Sequence, residues 1–190
     1  MADAIPVPSP QLAGDGFVLR PFAAGDYDAA NVAREDDDTS PWVNALPLPD
    51  GEAMSRLDEQ LRRDGKLLHL AIEADDGAAY LGEIALFLRA PEAAEAGIGE
   101  IAYVVAPVAR GRGIATSAVR LLSEWAFAEL GLERLQLSIH PQNVASRRVA
   151  EKAGYQHEGT LRATKVIRGR RVDSMMFSLL PGDLGLLRRG

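Results

Sequence analysis

Arg110-Gly111-Arg112-Gly113-Ile114-Ala115 is the stretch on which the fold of this chain turns. Ahead of it runs Ile101-Ala102-Tyr103-Val104-Val105-Ala106-Pro107, apolar and β-branched like a strand. Behind it Ala118, Leu121, Leu122, Trp125 and Ala128 recur at helical spacing, with Arg120, Glu124 and Glu129 off that stripe. A short glycine loop that opens a helix offers unpaired backbone N–H groups and the positive end of the helix dipole. That combination suits an anion, best a phosphate or pyrophosphate. Gly111 and Gly113 let the backbone approach it, and Arg110 and Arg112 add forked donors at the rim.

The commoner phosphate motifs do not fit. No lysine follows Gly113 as a P-loop requires, and Thr116 stands where a dinucleotide fingerprint needs its third small residue. Gly-Arg-Gly by itself would be an ordinary strand-to-helix turn with solvated arginines. The segments around it carry the further information.

They resemble the GCN5-related N-acetyltransferases (GNAT), whose loop motif is Arg/Gln-x-x-Gly-x-Gly/Ala. Arg110, Gly113 and Ala115 occupy its fixed positions. Gly99 to Val105 resembles the family's central strand. The segment His140 to Tyr155, with Asn143, Ser146, Arg147, Gly154 and Tyr155, followed by Glu158-Gly159 and a basic hairpin, is similar to the branch of Rim-type ribosomal-protein N-terminal acetyltransferases. The resemblance covers about residues 16–180.

It implies an α/β GNAT fold: one domain with a mixed central sheet splayed at its middle, flanked by about four helices. Acetyl-coenzyme A is the implied co-substrate, with its pyrophosphate on Arg110, Gly111, Arg112, Gly113, Ile114 and Ala115. In the family a bulge opens the strand, and its backbone pairs with the pantetheine arm; this maps to Val104, Val105 and Ala106. The Val105 amide is then the donor to the thioester oxygen. Asn143 resembles the asparagine on the pantetheine amide, and Ser146 the serine that protonates the leaving thiolate. Both are equally ordinary helix caps by residue type. Glu100 is a candidate base through water, if burial raises its pKa. The alternative is a strand-end glutamate paired with an arginine, and Tyr103 and Tyr155 are other candidates. The acceptor pocket of the fold implicates loop 35–50 as one wall, with Trp42 and Pro41 either the floor for the acceptor or local packing of the loop. Asp37 and Asp38, in the run Glu35 to Asp38, would attract an ammonium by long-range steering.

Composition agrees. The 190 residues carry 47% hydrophobic and 25% charged residues, an ordinary globular mix for one domain. Zero cysteines exclude disulfides and thiolate chemistry, and three isolated histidines, His69, His140 and His157, imply no metal and receive no role. The net charge of −6 argues against nucleic acid as a partner. No apolar run reaches a membrane span, and Met1 to Pro10 has no basic signal-peptide start, so a cytoplasmic protein without membrane partner is expected.

Residues 1–15 read as a flexible arm, 16–182 as the domain and 183–190 as a tail. Strands are expected at 17–22, 67–73, 79–88, 99–106, 134–140, 155–166 and 172–180. Helices are expected from Asp26, from Asp50, after Arg112 and over 143–153, with an alanine-rich connection at 90–96. The expected function is acetyl transfer from acetyl-coenzyme A to a primary amine, either a protein or peptide N-terminus or a small molecule. A homodimer is compatible with it. Rival readings are a non-catalytic acyl-coenzyme A sensor and a nucleotide-phosphate protein of another fold.

Overall fold

The computed structural model describes residues 3–43, 50–88 and 96–186. Among them an eight-stranded sheet runs β1-β2-β3-β4-β5-β6-β8-β7. The strands are β1 (Leu12–Gly14), β2 (Phe17–Pro21), β3 (Leu67–Ala74), β4 (Tyr80–Leu88), β5 (Ile98–Val105), β6 (Arg134–Ile139), β7 (Gln156–Ile167) and β8 (Arg170–Leu179). The helices are α1 (Tyr27–Glu35), α2 (Gly51–Arg63), α3 (Ile114–Leu130) and α4 (Val144–Lys152). Of the sheet neighbours, β5 and β6 alone are parallel, joined by the α3 crossover that such a pair requires.

This parallel pair is short. It joins Ile98–Glu100 to Arg134–Gln136 and stops, although β5 runs on to Val105 and β6 to Ile139. The sheet is therefore splayed at its middle. The bulge expected in the splayed strand is missing: β5 stays in continuous register with β4 from Gly99 to Val105. Gly82 is one reason, since a Cβ there would stand 2.3 Å from the Val104 carbonyl oxygen, so only glycine permits so close an approach. The opening comes from the divergence of β6 alone.

α3 packs on one face of the sheet through Ile114, Ala118, Val119, Leu122, Ser123 and Ala126. The buried stripe is rotated from the expected one, with Leu121 and Trp125 half-buried and Ala128 exposed. Ser123 explains the error. Its hydroxyl is satisfied by the Val119 carbonyl at 2.7 Å and Tyr155 Oη at 2.9 Å, so a polar residue sits in the core at no hydrogen-bonding loss. On the opposite face α1 and α2 cover Phe22, Tyr27, Ala30 and Ala71.

Two further expectations are corrected. The segment before residue 16 is not an arm: Leu12–Gly14 joins the sheet, and Ile5 is 2% exposed, with its N–H donating to the Arg62 carbonyl at 2.9 Å. Asp26 does not cap α1. Its carboxylate accepts from the Ala23 N–H at 2.8 Å and from Arg20, closing the turn before the helix. Asp50 does cap α2, accepting from the Glu52 N–H at 2.9 Å. At the other end, Gln156 donates to Asp183 at 2.9 Å and Leu184 packs on the core, so the domain continues past residue 182. Most of the connection expected at 90–96 lies outside the described residues, as does part of loop 35–50.

Candidate functional site

Where β6 leaves β5, a cleft of about 620 Å³ opens between Tyr103–Val105, the start of α3, α4 and the 37–43 segment. Its floor is backbone. Past Glu100, β6 no longer pairs with β5, so the edge of Tyr103–Val105 on that side is left to other partners. Gly113 is the residue before α3, left-handed at φ +82°, and among the described residues no side chain caps the helix. The first-turn N–H groups of α3 therefore face the cleft without a side-chain acceptor among those residues. A Cβ at Gly111 or Gly113 would meet nothing within 4 Å, so these glycines front open space. This cradle, an uncapped 17-residue helix and an open strand edge fit the pyrophosphate and pantetheine arm of coenzyme A.

Most expected site residues converge on this cleft. Asp37, Asp38, Trp42, Val104, Val105, Arg110, Gly111, Gly113, Ile114, Ala115, Asn143 and Ser146 all line it. Ala106 does not: it is buried and its N–H donates to the Leu81 carbonyl at 2.9 Å, which prolongs the β4 pairing. Arg112 is exposed and lies off the lining. Arg110 is already engaged, donating to Asp36 Oδ1 at 2.5 Å, Asp38 Oδ2 at 3.1 Å and Thr39 Oγ1 at 2.8 Å. The Arg110 guanidinium holds the Asp36 carboxyl below the usual carboxylate range. The acidic run is thus tied to the anion loop.

Asn143 is the cap of α4; its Oδ1 accepts from the Ser146 N–H at 3.0 Å. Ser146 is not a cap. Its Oγ lies 2.8 Å from Tyr103 Oη across the cleft. Burial pushes the Tyr103 hydroxyl up to about 12, with the Ser146 hydrogen bond working the other way, so it is protonated at neutral pH. Glu100 faces a smaller cleft of about 260 Å³ between β5, β6 and the hairpin, which Trp42 and Ser146 also line. There its partner is a lysine: Lys165 Nζ at 3.0 Å, with Gln136 Nε2 at 3.5 Å. The Trp42 ring sits 5.1 Å from the His140 imidazole.

A third cavity, about 480 Å³, lies on the α1/α2 face and shares Val43, Tyr103 and Val104 with the first. Sequence reasoning missed it and its charges. His69 Nδ1 is 2.8 Å from Asp58 Oδ2, and Nε2 is 3.2 Å from Glu83 Oε2. Tyr27 donates to Asp58 at 2.6 Å, and Arg34 grips Glu83 with Nε at 2.6 Å and Nη2 at 2.7 Å. Burial disfavours the His69 imidazolium, but carboxylates on both ring nitrogens outweigh it and hold the proton above the ordinary range. Burial also disfavours ionised Asp58 and Glu83, yet the bonds from His69, Tyr27 and Arg34 keep both carboxyls low. Period-two alternation was the available signal, since it turns His69 and Glu83 to the same face as Ala71 and Ala85. Among the described residues no group of three or more metal-ligating side chains is arranged around a common point, and no helix is long and apolar enough to cross a membrane.

Residues 17–156 match the model of the acetyltransferase (GNAT) domain. A Bacillus subtilis (strain 168) protein named "Probable N-acetyltransferase YjcK" is 34% identical over 125 residues, 66% of this chain and 67% of that protein. The structure of Mycobacterium smegmatis RimJ in complex with CoA-disulfide matches with a TM-score of 0.76, at 24% identity, over 88% of this chain and 83% of that one. A spermidine N-acetyltransferase SpeG chimera from Vibrio cholerae and hSSAT matches with a TM-score of 0.74, at 19% identity, over 92% of this chain and all of that one (100%). The two structural likenesses establish the fold. The chain belongs to the GNAT acetyltransferase family, and it is an enzyme that moves acetyl from acetyl-coenzyme A to an amine.

Proposed function

We propose that this GNAT-family enzyme acts in the Rim-type branch, acetylating the N-terminal α-amine of a protein or peptide by direct transfer. The observation that carries the mechanism is the Tyr103–Ser146 pair at 2.8 Å, which lies where the open β5 edge and the α3 N-terminus face one cleft. Similarity to the RimJ structure and the Asn143-to-Tyr155 segment support the branch.

Bound acetyl-coenzyme A supplies an activated acetyl thioester. The chain's residues do the rest by position and charge. The α3 amides from Gly113 to Ala115 and the Arg110 guanidinium hold the pyrophosphate; Val105, whose backbone points away from β4, offers it to the pantetheine arm, with its N–H polarising the thioester carbonyl, while the Val104 backbone is turned to β4. Asn143 fixes α4 so that Ser146 stands at the cleft. Tyr103 Oη fixes the Ser146 hydroxyl, which hands its proton to the departing sulfur and takes one from the attacking nitrogen. Trp42 walls the path between the larger and smaller clefts. Glu100, neutralised by Lys165, ties β5 to the hairpin and acts on protons only through water.

An acceptor screen tests this reading. Purified protein and acetyl-coenzyme A are mixed with peptides bearing free or blocked N-termini, with spermidine and with alkylamines, and thiol release and product mass are recorded. Acetyl should appear on the α-nitrogen of free peptides. Turnover confined to spermidine or to lysine side chains overturns it.

A further inference from the structure

The buried charges on the α1/α2 face are more than folding asks for. Replacing such a cluster by apolar side chains of similar volume is often neutral or stabilising, so stability alone does not explain it. Both His69 ring nitrogens face carboxylate oxygens, at 2.8 and 3.2 Å. An ionised carboxylate accepts and never donates, so the ring must carry both protons. The cluster then balances: Asp58 and Glu83 against Arg34 and His69. Among the described residues both hydrogen bonds to Asp58 fall on Oδ2, leaving Oδ1 for a newcomer. The cavity beside it is walled by Met54, Leu67, Ala85 and Phe87, and Phe87 is 45% exposed there.

We propose that this cavity receives the acceptor's single N-terminal ammonium together with an apolar first side chain, seated on Asp58, with His69 as the group that takes its proton. The proposal rests on the acetyl-transfer reading and names its acceptor side. An arriving ammonium would leave this low-dielectric cluster with one surplus positive charge, so His69 releases its proton to solvent as the ammonium binds. That release restores the balance, and the neutral imidazole then takes one proton from the ammonium, a transfer that leaves the net charge of the cluster unchanged. The free amine attacks: the N–C bond forms, the C–S bond breaks, and the second nitrogen proton ends on sulfur. One proton per turnover reaches solvent. The one open carboxylate oxygen selects one ammonium. A second ammonium, as in a diamine, would face the apolar wall.

Charged and titratable groups face His69 from every element packed around it. α1 presents Tyr27 and Arg34, α2 presents Asp58, and β4 presents Glu83 and, at its start, Tyr80. Asp26, held by Arg20, which also pairs with Glu73, lies in the turn before α1, and Phe22 stacks on the ring at 4.0 Å. Tyr80 Oη is buried without a hydrogen-bond partner among the described residues.

n-Butylamine and 1,4-diaminobutane are the probes, titrated by calorimetry at neutral pH in two buffers of different ionisation heat. Wild type should bind n-butylamine saturably and release about one proton per amine. The diamine should bind more weakly. D58N should weaken n-butylamine by about 10-fold or more, as loss of a charged partner does. H69Q should keep the binding and lose the proton release, which a purely structural histidine would not do. A85L, which fills the cavity without touching a charge, should block the amine as well and covers the case in which D58N fails to fold. Absence of saturable binding, equal affinity in D58N and A85L, or no proton release in wild type overturns the proposal. Acetyl-coenzyme A affinity in the same samples reports separately on the cofactor cleft: loss there condemns the acetyl-transfer site, and retention with unaltered amine binding condemns only the acceptor pocket.

Discussion

On one side of β5 the wall is backbone: the open edge of Tyr103–Val105 and the uncapped start of α3. On the other it is charged side chains, with Arg34, Asp58, His69 and Glu83 around a cavity of about 480 Å³. The two cavities meet at Val43, Tyr103 and Val104. Backbone recognition suits a partner that is the same in every turnover. It depends on glycine conformations and a helix end, which few substitutions can supply. Side-chain recognition can be re-tuned one residue at a time, which suits an acceptor that differs between relatives.

The comparison can be broken by substitutions on each side. The largest effect is expected from Arg34→Met, which strips Glu83, 7% exposed at its side chain, of its guanidinium. Breaking one partner of a buried pair costs about 3–5 kcal/mol, so chemical denaturation should show a loss of that order. A loss below about 1 kcal/mol would mean that water reaches the cluster freely.

Gly113→Val comes next. Its φ of +82° is strained for any β-branched residue, and the Cβ would occupy the cradle. Affinity for acetyl-coenzyme A should fall by roughly 100-fold, about 2.7 kcal/mol. Unchanged calorimetric affinity in a folded variant would remove this loop from the site. Ser146→Ala should lower kcat by roughly 10- to 100-fold at unaltered coenzyme affinity. Because Asn143 makes the cap, the melting temperature should barely move. A fall in melting temperature with kcat intact would return Ser146 to a structural role.

Smaller effects concern pH and salt. The folded His69 pKa is raised, so its contribution to stability is complete below the unfolded imidazole value of about 6.5 and is lost as pH rises through the folded value. The melting temperature of wild type should decline over that window, and that of H69Q should stay flatter; parallel curves would show a neutral ring. The smallest effect is expected when Asp36, Asp37 and Asp38 all become Asn. Freed Arg110 and three fewer negative charges should tighten acetyl-coenzyme A by roughly 3-fold, and the gain should fade above about 0.1 M salt. If the acidic run instead steers the acceptor, KM for a cationic amine rises while coenzyme affinity stays constant.

The lining of the proposed cofactor cleft was legible because most of its residues are neighbours in sequence: 104–105, 110–111 and 113–115 belong to one strand–loop–helix unit, and 143–146 to another. Local rules about glycine loops, caps and helix ends apply directly to such runs. The acceptor side draws one or two residues from each of α1, α2, β3 and β4, and Tyr27, Asp58 and His69 have no local rule linking them. His69 alone among apolar residues carries no local sign of a role. Ala106 was misplaced for a related reason: the motif locates the strand, but whether a given N–H faces coenzyme or β4 depends on register, which only the paired strand fixes.

The two outer strands of the sheet, β1 and β7, bear on how copies of the chain meet. A long bare strand edge is a template on which another chain can add itself. β1 offers only Leu12–Gly14. β7 is 12 residues long and exposed almost throughout, including Leu161 and Val166 at 48% and 43%. Its pairing with β8 slips between Leu161 and Lys165, where Ala163 turns left-handed at φ +52°. Asp173 and Arg171 take up the backbone N–H and carbonyl of Ala163 at 2.9 and 3.0 Å. The kink breaks the strand into two short pieces, and Arg162, Lys165, Arg168, Arg170 and Arg171 outnumber Glu158 and Asp173 and leave the hairpin net positive. Two identical hairpins laid edge to edge would bring like charges together along a bent seam. Growth of the sheet from molecule to molecule is thereby discouraged at both of its ends.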